Sequence, residues 1–223
     1  MFRRVAAVGL LVACVACGGG SSIDPEADEE LIEDSLLTLD DLPDGFREVD
    51  AEADDEGAAD ECNEDILDID ADELDESTTA EPGPVRFDSD SVSVTAEITA
   101  FEDGDDLVRI VEALEDDEYV ECLQEEAENF QDPGVTIVAI ESIDSPADDD
   151  DTPAAAIAAV VEINSAATSG IVVVAEQQQH AVVVDRFGIL LNVAAEEGLL
   201  DEELVEDSLD TMIDRLQDGL EDG

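Results

Sequence analysis

A succession of strand-patterned stretches in the second half of the chain restricts its fold more than any other feature. Val92, Val94, Ala96, Ile98 and Ala100 alternate with Ser93, Thr95, Glu97 and Thr99. Successive side chains on a strand point to opposite faces, so this period of two marks a strand half buried against a core. Val135–Ile143 and residues 155–163, 171–184 and 189–195 are further strand-like runs of Val, Ile, Leu and Ala. Residues 164–170 have the composition of a hairpin loop, and 185–188 that of a turn. The linked runs therefore read as an antiparallel meander.

Helical spacing fills the gaps. Asp103 or Asp105 caps a helix with Leu107, Ile110, Val111 and Leu114 on one face. Tyr119, Val120, Leu123, Ala127 and Phe130 continue at spacings of three and four until Pro133-Gly134 stops them. After the last strand, Asp201 caps an amphipathic helix carrying Leu204, Val205, Leu209, Met212, Ile213, Leu216 and Leu220. Signals before Val92 are weaker: a short helix over 31–37, a turn at Pro43 and Gly45, a short strand from Phe46, a polar loop over 51–60 and partial helix over 62–76. Pro82-Gly83-Pro84 then breaks the chain. These elements predict an α+β domain, a mainly antiparallel sheet with helices packed on one face and closed by the C-terminal amphipathic helix.

Sixty-five acidic residues oppose seven basic ones, a formal net charge of −58, and every basic residue is arginine. High charge with few aromatics fits disorder, but the patterned strands and a hydrophobic content of 44% predict a folded core. A surface this acidic excludes nucleic acid, whose phosphates need a basic patch, and electrostatic docking on anionic lipid. Acid-rich, lysine-free surfaces resemble those of halophilic proteins, in which salt screens the self-repulsion. An acidic surface protein from a high-GC organism is the alternative.

The N-terminus is an export signal. Arg3 and Arg4 precede an apolar stretch, Val5 to Ala16, too short to span a bilayer and of the length of a signal-peptide core. The paired arginines lack the rest of a twin-arginine motif. Leu11-Val12-Ala13-Cys14-Val15-Ala16-Cys17 resembles the lipobox of prokaryotic lipoproteins, in which a cysteine receives diacylglycerol and becomes the new N-terminus. Cys14 fits the four-residue pattern more closely, whereas Cys17 stands directly before the tether Gly18-Gly19-Gly20-Ser21-Ser22 and leaves no odd thiol. Cys17 is the preferred lipidation site and Cys14 the alternative. The expected layout is a signal peptide over 1–16, a flexible acidic tether over 17–30 and one domain over 31–223.

Cys62 and Cys122 remain after processing, and two thiols in an oxidising compartment are expected to pair. Free thiols and a metal pair are the alternatives, the latter without a nearby histidine. The run from Leu37-Thr38-Leu39-Asp40-Asp41-Leu42-Pro43 through Cys62 and Cys122 to the closing helix resembles actinobacterial lipoproteins of the LpqN type and the extracellular sensor domain of the kinase PknH. The resemblance implies surface sensing or ligand binding and carries over no functional residue.

Catalytic and metal-binding signals are sparse. His180 is the only histidine, and on a strand it shares a face with Glu176 and Gln178, a small polar site or simply a solvated strand face. No nucleophile-elbow pattern lies near it. Asp68, Asp70 and Asp72 have the opening spacing of an EF-hand loop, but Glu73 stands where glycine is needed and Thr79 where a bidentate glutamate is needed. Asp148 to Asp151 read as a solvated acidic loop. The sequence therefore predicts no cofactor and no bound metal. It predicts a lipid-anchored, extracytoplasmic binding or sensing domain without catalysis, held to the membrane by its anchor and facing an envelope protein or small ligand. A metal-assisted hydrolase and a structural envelope protein are the alternatives.

Overall fold

A computed structural model describes residues 23–51, 62–69, 74, 76–129, 135–147, 152–164 and 172–222. The signal segment, Cys14, Cys17, Asp70, Asp72 and Asp148 to Asp151 lie outside them. Eight strands form one antiparallel sheet: β1 (Arg47–Val49), β2 (Thr78–Ala80), β3 (Val85–Asp88), β4 (Val92–Phe101), β5 (Val135–Ile143), β6 (Ala154–Asn164), β7 (Val172–Val184) and β8 (Phe187–Glu196). The order is β1-β3-β4-β8-β7-β6-β5, with β2 paired to the end of β4. The last four strands are thus the predicted meander, and β4 joins it through β8, with Val94 opposite Val193 and Ile98 opposite Ile189. β2 and β3, either side of Pro82-Gly83-Pro84, are too short to show a period in the sequence.

Among the described residues, four α-helices accompany the sheet: α1 (Pro25–Ser35), α2 (Asp105–Ala113), α3 (Asp117–Asn129) and α4 (Glu202–Asp222). At or just before the start of each, an aspartate carboxylate accepts a backbone N–H: Asp24 from Glu26, Asp103 (one residue before the Gly104 cap of α2) from Asp105, Asp116 from Glu118 and Asp201 from Glu203. Such caps satisfy amides that the first turn leaves without partners and set negative charge at the positive end of the helix dipole. Helix α1 starts earlier than expected, so residues 25–30 of the anticipated tether are its first turns. Pro25 has the fixed φ that suits a first helical position.

The helices divide between both faces of the sheet, where the sequence put them on one. Helices α1 and α4 cover the face bearing Val94, Ile98, Val182, Ile189 and Leu191. In α4, Leu209, Met212 and Leu216 are fully buried, each contributing about 1.5–3 kcal/mol by burial, while Leu220 at the helix end is exposed. Helices α2 and α3 cover the opposite face around Ala155 and Val183. There Cys62 and Cys122, the pair expected from thiol count and compartment, form a disulfide that ties a π-helical turn (Asn63–Leu67) to α3. Tyr119 reinforces the tie by donating from its buried hydroxyl to Asn63 Oδ1 at 2.5 Å.

Scarce cations serve as internal fasteners. Four of the five described arginines make ion pairs. Arg186, on the β7–β8 turn, bonds the buried carboxylate of Asp28, the Thr79 hydroxyl and the Phe101 carbonyl, and lies 4.8 Å from the centre of the Phe187 ring. One side chain thereby joins α1, β2 and β4. Arg215 of α4 grips both Asp41 oxygens, at 2.6 and 3.0 Å, and the Leu36 carbonyl. The Leu37 to Pro43 motif is thus a clasp around a short 3₁₀ turn (Leu39–Asp41), which Thr38 caps.

At one sheet edge, the N–H of Ile140 in β5 donates to Gln124 Oε1 of α3 at 2.6 Å. The β5–β6 register slips between Ile137 and Ala139, leaving Val138 as an extra, exposed residue. The strand at the other edge, β1, has three residues.

Candidate functional site

Strand β7 places Glu176, Gln178 and His180 on the face that α4 covers, as alternation requires. The structure separates their roles. Glu176 Oε2 accepts the Gly198 N–H at 3.3 Å and so fastens the turn between β8 and α4. Gln178 and His180 instead line a cleft of about 430 Å³ between the end of β5, β7 and the first turns of α4. Asp144, Ser145, Glu202 and Glu206 complete its polar lining. The volume lies within the range of small-molecule sites.

His180 is 1% exposed, set between Ala156 of β6 and Leu191 of β8. Its Nε2 lies 3.1 Å from Gln178 Oε1. A carboxamide oxygen only accepts, so the ring proton sits on Nε2 and Nδ1 presents a bare lone pair. Nδ1 is buried and has no hydrogen-bond partner among the described residues, and neither has the buried hydroxyl of Ser145. Unmet buried polar atoms cost about 1–3 kcal/mol each, so two in one cleft are unusual in a structure of this kind. Desolvation pushes the imidazole down from its ordinary value near 6.5 to about 4, so it is neutral at physiological pH.

Asp144, Glu202 and Glu206 are exposed at the cleft, and no arginine lines it. Glu202 and Glu206 stand four apart on α4, on one side of its first turns.

The sequence did not point to Asp144, Ser145, Glu202 or Glu206. The Asp201 cap located the first two turns of α4, but which strand they face depends on strand order. Asp144 and Ser145 reach the cleft because the Asp144-to-Pro153 loop starts at the end of β5, two strands from β7.

A second, more apolar cleft of about 210 Å³ lies on the opposite face, where Leu107, Ile110 and Val111 of α2 meet Val183 and Leu190. Among the described residues, no group of three His, Cys, Asp or Glu side chains is placed to hold a metal ion. Asp68, the one described member of the failed EF-hand spacing, has a left-handed backbone after the π-helical turn.

No family model matches the chain, and no curated protein does. Among solved structures, the extracellular domain of PknH from Mycobacterium tuberculosis aligns with a TM-score of 0.48 at 12% identity, over 85% of this chain and 96% of that one. An uncharacterized protein from Mycobacterium smegmatis aligns with a TM-score of 0.30 at 10% identity, over 81% and 77%. At these scores neither likeness bears on function.

Proposed function

We propose that this chain is a lipid-anchored, extracytoplasmic binding or sensing domain that does not catalyse. The observation that carries the reading is the pair of buried, partnerless polar atoms, His180 Nδ1 and Ser145 Oγ, in one cleft. A ligand that supplied their hydrogen bonds would give each atom the partner that the fold does not. The export signal, the lipobox-like segment and the disulfide support placement outside the cytoplasm. The lipobox-like segment assigns attachment to Cys17, with Cys14 as the alternative. Two acyl chains suffice for stable anchoring.

A hydrolase reading has one observation in its favour, that Ser145 and His180 line the same cleft. No hydrogen bond joins them. The imidazole is oriented by neutral Gln178, not by a carboxylate that would stabilise its protonated form. A base with a pKa near 4 is also a poor proton acceptor for a serine hydroxyl at neutral pH.

Two measurements test the proposal. Mass spectrometry of the mature N-terminus should find diacylglycerol on Cys17; an unmodified terminus removes the anchor from the reading. The purified domain should not turn over p-nitrophenyl acetate or p-nitrophenyl phosphate. Turnover that His180→Ala abolishes would replace the binding reading with an enzymatic one.

A further inference from the structure

We infer that the His180 cleft takes a small organic cation bearing N–H donors, such as an alkylamine or a short polyamine. The inference rests on the binding-domain reading and adds to it the chemical class of the ligand. Its first support is the hydrogen-bonding sense of the lining. With the ring proton committed to Gln178, Nδ1 offers only a lone pair, and its complement is a donor. The Ser145 hydroxyl can accept a second donor or turn its own proton to a carboxylate.

The second support is charge. Asp144, Glu202 and Glu206 bring three carboxylates to the opening, and among the described residues the lining holds no cationic side chain to answer them. An anion entering there would meet three like charges, and the partial positive end of α4 is smaller than those charges combined. The third support is spacing. The described carboxylates and histidine do not converge closely enough to ligate one metal ion, so a ligand meeting several of them must extend across the cleft. An ammonium at the rim and a second N–H deeper inside would do so. The acids alone would not single out this place in a chain with 65 of them; the two partnerless buried atoms beside them do.

His180 is the only histidine, so its ring signals in a proton NMR spectrum report this cleft alone. The full mature domain would be titrated at constant ionic strength with methylammonium, 1,4-diaminobutane and spermidine, and in parallel with 1,4-butanediol and succinate. At least one amine should shift the His180 signals saturably at concentrations up to about 10 mM, and the diol and dianion should not. Glu202→Gln and Glu206→Gln should each weaken that binding by about tenfold, the scale of one carboxylate–ammonium pair near a surface. Ser145→Ala should weaken it without lowering the melting temperature, since it removes a buried hydroxyl that the fold leaves without a partner. Glu112→Gln, exposed on α2 at the opposite face, should change nothing and so separates a cleft effect from general attraction to an acidic protein.

Saturable binding of the diol or succinate without any amine response would overturn the cation assignment and leave the cleft a binding site. Amine binding that ignores Glu202→Gln and Glu206→Gln would overturn it too. Silence of the His180 signals toward all five probes would overturn both the ligand class and the cleft as the binding site.

Discussion

His180 shows how much a single buried side chain can decide. Its folded pKa, about 4, lies below the ordinary value, so as pH falls the unfolded chain takes up the proton first. Its contribution to stability is therefore unchanged above about pH 6.5, falls between 6.5 and 4 by about 3 kcal/mol, and changes no further below that. Asp144, Glu202 and Glu206 line the same cleft, and Glu176 lies on the same strand. Comparing the protein with His180→Leu cancels most of their effect. Denaturant unfolding of the two across pH 4–8 should show their stability gap move in the variant's favour by about that amount on acidification. A constant gap would mean that the imidazole keeps its ordinary value in the folded state. Asp28 makes a second residue-scale case. With its carboxylate buried against Arg186, Asp28→Ala leaves a guanidinium largely out of water, and we expect a loss of about 3 kcal/mol by chemical denaturation. A loss below about 0.5 kcal/mol would show that Arg186 finds solvent without rearrangement. Neither residue's burial was legible in the sequence. His180 sits in a run of glutamines that looks solvated, and Asp28 in a run of acids that looks like tether.

Among elements, the strands were legible because period two survives in any surroundings: Val94, Ala96, Ile98 and Ala100 face the core as their alternation requires. The C-terminal helix was legible for the same reason, with a period of 3.6. Distribution of the helices between two faces was not, because β7 is covered on both sides and its Val182, Val183 and Val184 run shows no period. The seat of α2 depends on a close approach that only structure reveals. A methyl group on Gly104 would run into the Asp185 carbonyl of the β7–β8 turn, and that obstacle is backbone, not a movable side chain. Gly104→Ala should therefore cost about 1–3 kcal/mol and lower the melting temperature by several degrees. An unchanged melt would show that the loop before α2 shifts freely. Gly219→Ala makes a useful contrast, since its added methyl meets only the tip of Leu31, which can move.

For the whole molecule, the charge was plain from the start, but not how the few cations are spent. Arg186 and Arg215 hold α1, the 3₁₀ clasp and α4 against the sheet, leaving most of the acidic surface without a countercharge. Salt must supply the screening. At an ionic strength of 1 M or more the Debye length shrinks to about 3 Å, and several kcal/mol of self-repulsion should be recovered. The melting temperature should rise steadily from 0.1 to 2 M KCl; a flat response would trace the acids to base composition and not to a saline habitat.

The two borders of the sheet have a consequence for how copies of this chain meet when they are crowded together. Strands as long and apolar as β6 and β7 are templates on which another chain could pair, and an open border invites fibre growth. Here one border ends in the three residues of β1 and the other in β5, where Gln124 occupies the Ile140 amide and the slip at Val138 disturbs the ladder. A neighbouring copy arriving edge-on meets a stub on one side and a plugged, uneven ladder on the other. The fold itself thus leaves little continuous ladder for edge-on pairing, and that disadvantage would persist at salt concentrations where charge repulsion no longer keeps copies apart.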